Sequence, residues 1–327
     1  MNKLRLLFAA TLLAPAAALM ALDKASAQEF PSRPITLVVP YAAGGGNDVM
    51  ARTVADKMSK TLGQQIVIEN RAGAGGSTAT RQVARSAPDG YTLVIGGTGT
   101  LAVNPTLYQN VGYDPRKDFA PIGIIGVVPT VLVVHPSSPI RSLVELIKLA
   151  KDSGKSIEYG TPGIGTVNHL AAELFGMMAG IKLTHVPYRG AGPALNDLLG
   201  GHIPLVLSAI PNVHGHIEAG TLRALAVTPA RRSAMLPDVP TIAETGLKGY
   251  DMSLSYGLVA PAGTPRAIVE RLNAALNAAL ATDEVKKRLA TEGAEPQPTS
   301  PEEFVAMIDR EETRGSALVK AIGLKPE

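Results

Sequence analysis

Three times before residue 100 the chain runs from a short apolar segment straight into a glycine loop. Ile35–Pro40 leads to Gly44-Gly45-Gly46, Gln65–Glu69 to Gly73-Ala74-Gly75-Gly76, and Tyr91–Gly96 to Gly96-Gly97-Thr98-Gly99. The segments between them are amphipathic. After the first loop, Ala51, Val54, Ala55, Met58 and Leu62 recur at steps of three and four until Gly63 stops the pattern, which predicts a helix with one buried face. A second helix is expected over Thr78–Arg85, and Pro88-Asp89-Gly90 is a turn. Strands alternating with helices in this way build an α/β fold with mainly parallel sheets. In such a sheet the loops after the strands gather at one edge, where ligands bind.

The first of these loops has the chemistry of an anion site. From Tyr41 through Ala43, Gly44, Gly45 and Gly46 to Asn47 and Asp48, a strand ends, glycines turn the chain and a helix opens at Asn47 or Asp48, so unpaired backbone N–H groups converge. Glycines there remove the Cβ atoms that would hold a ligand off the peptide groups. The sequence Tyr159-Gly160-Thr161-Pro162-Gly163-Ile164-Gly165-Thr166-Val167-Asn168-His169 repeats the arrangement, with Thr166 as expected N-cap. Two helix N-termini facing one another would hold a carboxylate without any cationic side chain, each dipole contributing about 0.3–1 kcal/mol and each N–H···carboxylate bond about 1.5–3 kcal/mol.

Between the repeats, Ile122–His135 is a long apolar stretch broken by Pro129, and beyond it the strand–helix pattern restarts. Strands are expected at Ile157–Gly160, Leu183–Pro187, Pro204–Ser208 and Leu222–Val227, and helices from Leu143, about Val167, Pro193 and Val213. Ser253–Ala260 then returns to the first unit, and the helical final third, opened at Thr264-Pro265 and Ser300-Pro301, packs back on it. Residues 28–128 with 253–327 form one lobe and 129–252 the other, a hinged clam-shell with a cleft between them.

Residues 1–27 stand apart. Lys3 and Arg5 precede an apolar run from Leu6 to Leu22, and Ala25-Ser26-Ala27 has the small-x-small form of a cleavage site, so a signal peptide removed after Ala27 is expected. The chain has no cysteine, which excludes disulfides and a lipid-anchored cysteine and points to a free protein in the periplasm. Cleavage removes three basic residues and one acid and lowers the formal charge from +3 to +1. With no basic run and few aromatics, the chain has no footprint for nucleic acid.

At the level of motifs the chain resembles the Bug-type extracytoplasmic solute receptors of the tripartite tricarboxylate transporter class. The likeness rests on Pro31-Ser32-Arg33-Pro34-Ile35, Gly45-Gly46-Asn47-Asp48 with Ala51-Arg52, Asn70-Arg71-Ala72-Gly73-Ala74-Gly75-Gly76, Ala87-Pro88-Asp89-Gly90-Tyr91-Thr92, Tyr113-Asp114-Pro115, His185-Val186-Pro187-Tyr188-Arg189-Gly190 and Pro240-Thr241-Ile242-Ala243-Glu244. The resemblance implies a two-lobed Venus-flytrap of the periplasmic-binding-protein type, no cofactor, and capture of a small organic acid for delivery to a two-component membrane permease. It implies that one ligand carboxylate lies between Tyr41–Asp48 and Thr161–His169, with Thr98, Tyr188, Arg189 and Ser208 completing the cleft. An aromatic–acidic–polar patch usual in that family is Leu207-Ser208-Ala209 here, and Tyr256 replaces a common tryptophan, which suits an aliphatic or aromatic tail better than an amino group.

Alternatives stay open at several residues. Asp48 either caps its helix or meets the ligand, His169 either donates to the ligand or braces its turn, and Arg71 and Arg189 either fork a carboxylate or brace their loops. His214-Gly215-His216 is half of a metal site without a third ligand. Against an enzyme stands the lack of a Gly-x-Ser-x-Gly elbow, a cysteine nucleophile or a metal-binding helix motif. A sensor that presents its closed form to a membrane kinase would share the same cleft, and a monomer is the simplest state.

Overall fold

The computed structural model describes residues 30–44, 46–108, 110–188 and 190–323. The expected leader, Gly45 and Arg189 lie outside the described residues. Strands β1 (Ile35–Val39), β2 (Ile66–Asn70) and β3 (Thr92–Gly97) match the three apolar segments to within one residue. They are followed in the chain by β4 (Phe119–Val128), β5 (Thr130–Val134), β6 (Ile157–Thr161), β7 (Leu183–Pro187), β8 (Val206–Ala209), β9 (Arg223–Val227), β10 (Leu254–Pro261) and β11 (Glu295–Pro296). A six-stranded sheet has the order β11-β4-β10-β3-β1-β2, and a five-stranded sheet the order β7-β6-β8-β5-β9.

Pairing is parallel where helices connect the strands: β1 with β2 and β3, β6 with β7 and β8. It is antiparallel around the strands that carry the chain between sheets. The sheets are therefore mixed rather than mainly parallel, because a chain that leaves one lobe and returns to it must run in both directions at the crossing. The apolar stretch around Pro129 is two strands, β4 and β5, with Pro129 between them. The two crossings lie side by side, since Leu254 at the start of β10 pairs with Val128 at the end of β4.

Helix α1 (Gly46–Leu62) buries Ala51, Val54, Ala55, Met58 and Leu62, the stripe that the spacing predicts, with Met50 beside them, and ends at Gly63 with φ +72. These side chains meet Ile35, Leu37 and Val39 from β1 together with α8 (Arg266–Ala281) and α9 (Asp283–Thr291). Alternation puts Val38 on the opposite face with Val94, Val259, α2 (Ser77–Ala84) and the first half of α10 (Pro301–Ala321). The second lobe is covered in the same way, by α4 (Leu143–Ser153) and α5 (Val167–Ala179) on one face and by α6 (Ala191–Leu199) and α7 (Ile210–Glu218) on the other. Helix α6 starts two residues before Pro193, and α7 starts at Ile210, where Pro211 occupies the first turn. A four-residue helix, α3 (Asn104–Leu107), follows a wide turn over Thr98–Val103.

Helix α10 opens with the expected capping box, Ser300 accepting from Glu303 N–H while Glu303 accepts from Ser300 N–H. Its 21 residues extend about 30 Å. Phe304, Met307 and Ile308 lie in the core of lobe 1, whereas Leu318 and Val319 lie in the core of lobe 2. The last helix thus packs back on the first lobe as its position predicts, and also straps the second.

Candidate functional site

Both glycine turns form where the sequence places them. At the first, Gly44 sits at φ +83 and Asp48, in the first turn of α1, reaches back over it. One Asp48 oxygen accepts from Gly44 N–H (2.9 Å) and Arg52 Nε (2.9 Å), and the other from Asn70 Nδ2 (3.0 Å). Burial raises the pKa of this carboxyl, but the hydrogen bonds from Arg52, Gly44 and Asn70 and the Arg52 charge outweigh it and hold the group below the usual range. Asp48 therefore fixes the turn as an ionised clamp. Asn70 extends the clamp to Tyr41, whose carbonyl oxygen accepts from its amide (3.2 Å).

The Tyr41 hydroxyl donates to Gly75 O (3.0 Å), which also accepts from Asn104 Nδ2 (2.8 Å). At Gly76, with φ +89, a Cβ would stand 2.9 Å from Thr100 and 3.0 Å from Tyr41, so only glycine lets the first two loops close together. Tyr256, on β10, brings its hydroxyl to within 3.2 Å of where a Gly46 Cβ would be, and it makes no hydrogen bond to another described residue. The family resemblance marks Tyr256 as a substitution bearing on the ligand's tail, but not as a neighbour of the first turn. Its signal was the long-range pairing of β10 beside β3, which local periodicity does not contain.

At the second turn Thr166 caps α5, accepting from His169 N–H (3.3 Å) and donating to Gly163 O (2.8 Å). His169 Nδ1 accepts from Gly165 N–H (3.1 Å), which places its ring proton on Nε2. The His169 ring stacks on His185 at 3.9 Å, and His185 on Tyr159 at 5.1 Å. Burial lowers both histidines to about 4, with His185 adding to the effect at His169. Both rings are neutral at pH 7 and bring no charge to the cleft. Thr161, fully buried, joins this column through His185 Nε2 (2.6 Å) and holds Gly163 N–H (3.3 Å).

Gly44, Gly163 and Gly165 thus shape the turns but commit their own N–H groups inside them. The leading N–H groups of α1 and α5, those of Gly46, Asn47, Val167 and Asn168, have no intrahelical acceptor, while that of His169 is held by Thr166. The second turn approaches the first lobe here: Leu107, on the helix whose Asn104 holds Gly75, comes to 3.5 Å from the position of a Gly165 Cβ.

The remaining predicted residues are placed less uniformly. Tyr188 donates its hydroxyl to Asp197 (2.6 Å), and its carbonyl oxygen lies beside Gly163. Ser208 is buried at the end of β8 and accepts from Asn212 (3.4 Å). Thr98 turns its hydroxyl to the chain crossing, where it meets Ser253 O, Ser255 and Glu311. Arg71 forks Glu69 at 2.9 and 2.8 Å, so it braces its own strand end. His214 and His216 have separate local partners, Met235 O and Thr221.

Away from the turns the lobes touch at Gly293 and Pro211, and Glu295 accepts from Ser233 Oγ (2.6 Å) and Ala234 N–H (3.0 Å) of the other lobe. A Cβ on Gly293 would lie 1.9 Å from Pro211. Asparagine tolerates the left-handed backbone of that residue (φ +65) but cannot avoid the overlap. Gly293→Asn is expected to weaken ligand binding about tenfold, the equivalent of about 1.4 kcal/mol of overpacking felt only when the lobes meet. Calorimetric titration of the variant checks this, and unchanged affinity would show that the contact does not belong to the ligand-bound state.

Comparison with known proteins gives a consistent result. The family described as "Tripartite tricarboxylate transporter family receptor" matches residues 50–324. Protein BugT of Bordetella pertussis is 38% identical over 301 residues, which is 92% of each chain. A Rhodopseudomonas palustris protein solved with adipate is 39% identical, with a TM-score of 0.72, over 91% of this chain and all of that one. MatC from the same species, solved with bound malate, is 35% identical with a TM-score of 0.68, over 89% of this chain and all of that one.

Proposed function

Because the chain belongs to the tripartite tricarboxylate transporter receptor family, we propose that it captures a small organic acid in the cleft between its lobes and hands it to a two-component permease. The observation that carries this reading is the pair of glycine turns, one in each lobe, each opening a helix whose leading amides have no intrahelical acceptor. A carboxylate fills that need, since it brings acceptors only and gains from both helix dipoles. The neutral His169–His185 stack adds no competing charge. Asp48, held ionised by Arg52, fixes the geometry of the first turn.

The two lobes, 28–128 with 253–327 and 129–252, move about Pro129 and Ser253, and the ligand favours the closed arrangement because only there do both turns reach it. The protein acts as a monomer in the periplasm after loss of its leader, and releases its ligand unchanged. Tyr41, Ala43, Gly44, Gly46, Asn47 and Asp48 form one wall of the site, and Thr161, Gly163, Gly165, Thr166 and His169 the other. Tyr188 and Ser208 line the far end, and Thr98 holds the crossing beneath it. Leu207-Ser208-Ala209 makes that end poor in polar groups, so plain mono- or dicarboxylates with an aliphatic or aromatic body are preferred to amino acids. Malate and adipate, held by the two relatives, are the first compounds to test.

Thermal unfolding against a panel of carboxylates, aromatic acids and amino acids tests the reading. A cognate acid at about 100 times its dissociation constant adds about 2.7 kcal/mol, a shift readily seen. A selective rise with one class of acid is the expected result. An amino acid binding more tightly than every plain acid would sink the specificity argument, and silence across the panel, after unfolding and refolding to strip any carried ligand, would sink the receptor reading.

A further inference from the structure

A cavity of about 190 Å³ lies away from the glycine turns, where α10 passes from lobe 1 to lobe 2 beside the chain crossing. Its lining includes the apolar Val103, Val127, Leu170, Met252 and Met307. It also carries charge of both signs, and the two signs differ in how they are partnered. Asp251 already accepts from Ala230 N–H (3.0 Å), Glu295 from Ser233 and Ala234, and Glu311 from Thr98 (2.9 Å) and Ser255 (3.2 Å). Arg231, Arg310 and Arg314 also line the space but hydrogen-bond to no other described residue. Each guanidinium carries five N–H donors and no acceptor. Arg231, Arg310 and Arg314 are thus the charged lining groups left without a partner among the described residues, and they share the cavity with apolar side chains.

We propose that this cavity is a second binding site, separate from the cleft, for a short aliphatic carboxylate whose carboxylate lies against Arg310 and Arg314 and whose chain lies against Met252 and Met307. The volume admits a body of a few carbon atoms, and paired guanidiniums suit the two oxygens of a carboxylate. Of the residues assigned to the cleft only Thr98 lines the cavity, and its hydroxyl is engaged by Ser253, Ser255 and Glu311, so binding there does not use the helix-opening amides of the two turns.

Butyrate is the probe, and arginine labelling of the whole protein with phenylglyoxal, mapped by peptide mass, is the readout. Saturating butyrate is expected to slow labelling of Arg310 and Arg314 by about threefold or more, as a guanidinium engaged by a carboxylate is shielded. Met252→Trp, which fills the space, should abolish the protection. Should that variant fail to fold, Arg314→Gln should remove most of the protection at Arg310. Gly46→Phe, which crowds the cleft, should leave protection intact. No protection, protection that survives Met252→Trp or Arg314→Gln, or protection lost in Gly46→Phe would each overturn the proposal. The outcome is independent of the acid panel: a protein that no acid stabilises through its cleft can still show the protection, and a working receptor can lack it.

Discussion

Gly97→Ala is expected to cost about 3 kcal/mol or more of stability, because the added methyl has nowhere to go. Gly97 ends β3, where it pairs with Tyr256 of β10, and its backbone is extended, so conformation is not the obstacle. The obstacle is space: a Cβ there would lie 1.8 Å from Ser255 O and 2.8 Å from Ser255 C. Both are backbone atoms and cannot step aside by changing rotamer. Relief requires β10 to move away from β3, which breaks the Ser255 N–H to Thr98 bond of 2.9 Å and disturbs the crossing on which both lobes depend. Gly99→Ala is the control, since its Cβ meets only the Tyr41 hydroxyl at 3.4 Å, and its cost should stay within about 1 kcal/mol. Chemical unfolding of the two variants decides the matter. Equal stabilities would show that β10 does not press on β3 as described.

Glu311→Gln should stabilise the protein at about pH 8 by about 2–3 kcal/mol and change it little at about pH 4.5. Glu311 projects from α10 to the crossing. Burial pushes its carboxyl up to about 7 from the ordinary 4.5, hydrogen bonds from Thr98 and Ser255 oppose the rise, nearby Asp251 adds to it, and Arg314 opposes it. Between those two values the folded state keeps a proton that the unfolded chain has lost, so stability falls as the pH rises from 4.5 to about 7. Below that window the group costs nothing, and above it the full penalty is present. At about 1.4 kcal/mol per pH unit the penalty reaches about 3 kcal/mol. Glutamine keeps an acceptor for the two hydroxyls and has no charge to desolvate. Parallel pH profiles for the two proteins would show that Glu311 ionises as an ordinary surface acid does.

The glycine turns were legible because their signals are local. A β-branched run, consecutive glycines and an apolar stripe at helical spacing occupy fewer than thirty consecutive residues between Ile35 and Leu62, and the strand, turn and helix found there follow from backbone sterics alone. Thr166 and Ser300 were readable as caps for the same reason, since each satisfies an N–H three residues away. The use of each amide was not legible. Gly44 is claimed by Asp48, and Gly165 by His169, through side-chain rotamers that no spacing rule specifies.

Residues distant in sequence account for the other differences. The family resemblance implies Thr98 as a cleft residue; what no local pattern shows is that its hydroxyl is drawn to Ser255 and Glu311, 157 and 213 residues away. Tyr256 enters the first turn only because β10 inserts between β3 and β4. Helix α10 reads as part of lobe 1 by its position, but its length carries Leu318 and Val319 into lobe 2.

Strands, glycine turns, helices with one apolar face and the motif set that marks the family are readable from the chain alone, because all of them are short-range patterns set by sterics, capping and burial. Which amides are engaged, the direction of the crossing strands, the neutral histidine stack and the desolvated acid at the crossing emerge only in the folded molecule. Those properties arise from contacts between distant segments, where desolvation and hydrogen-bond partners are fixed only once the sheets have formed.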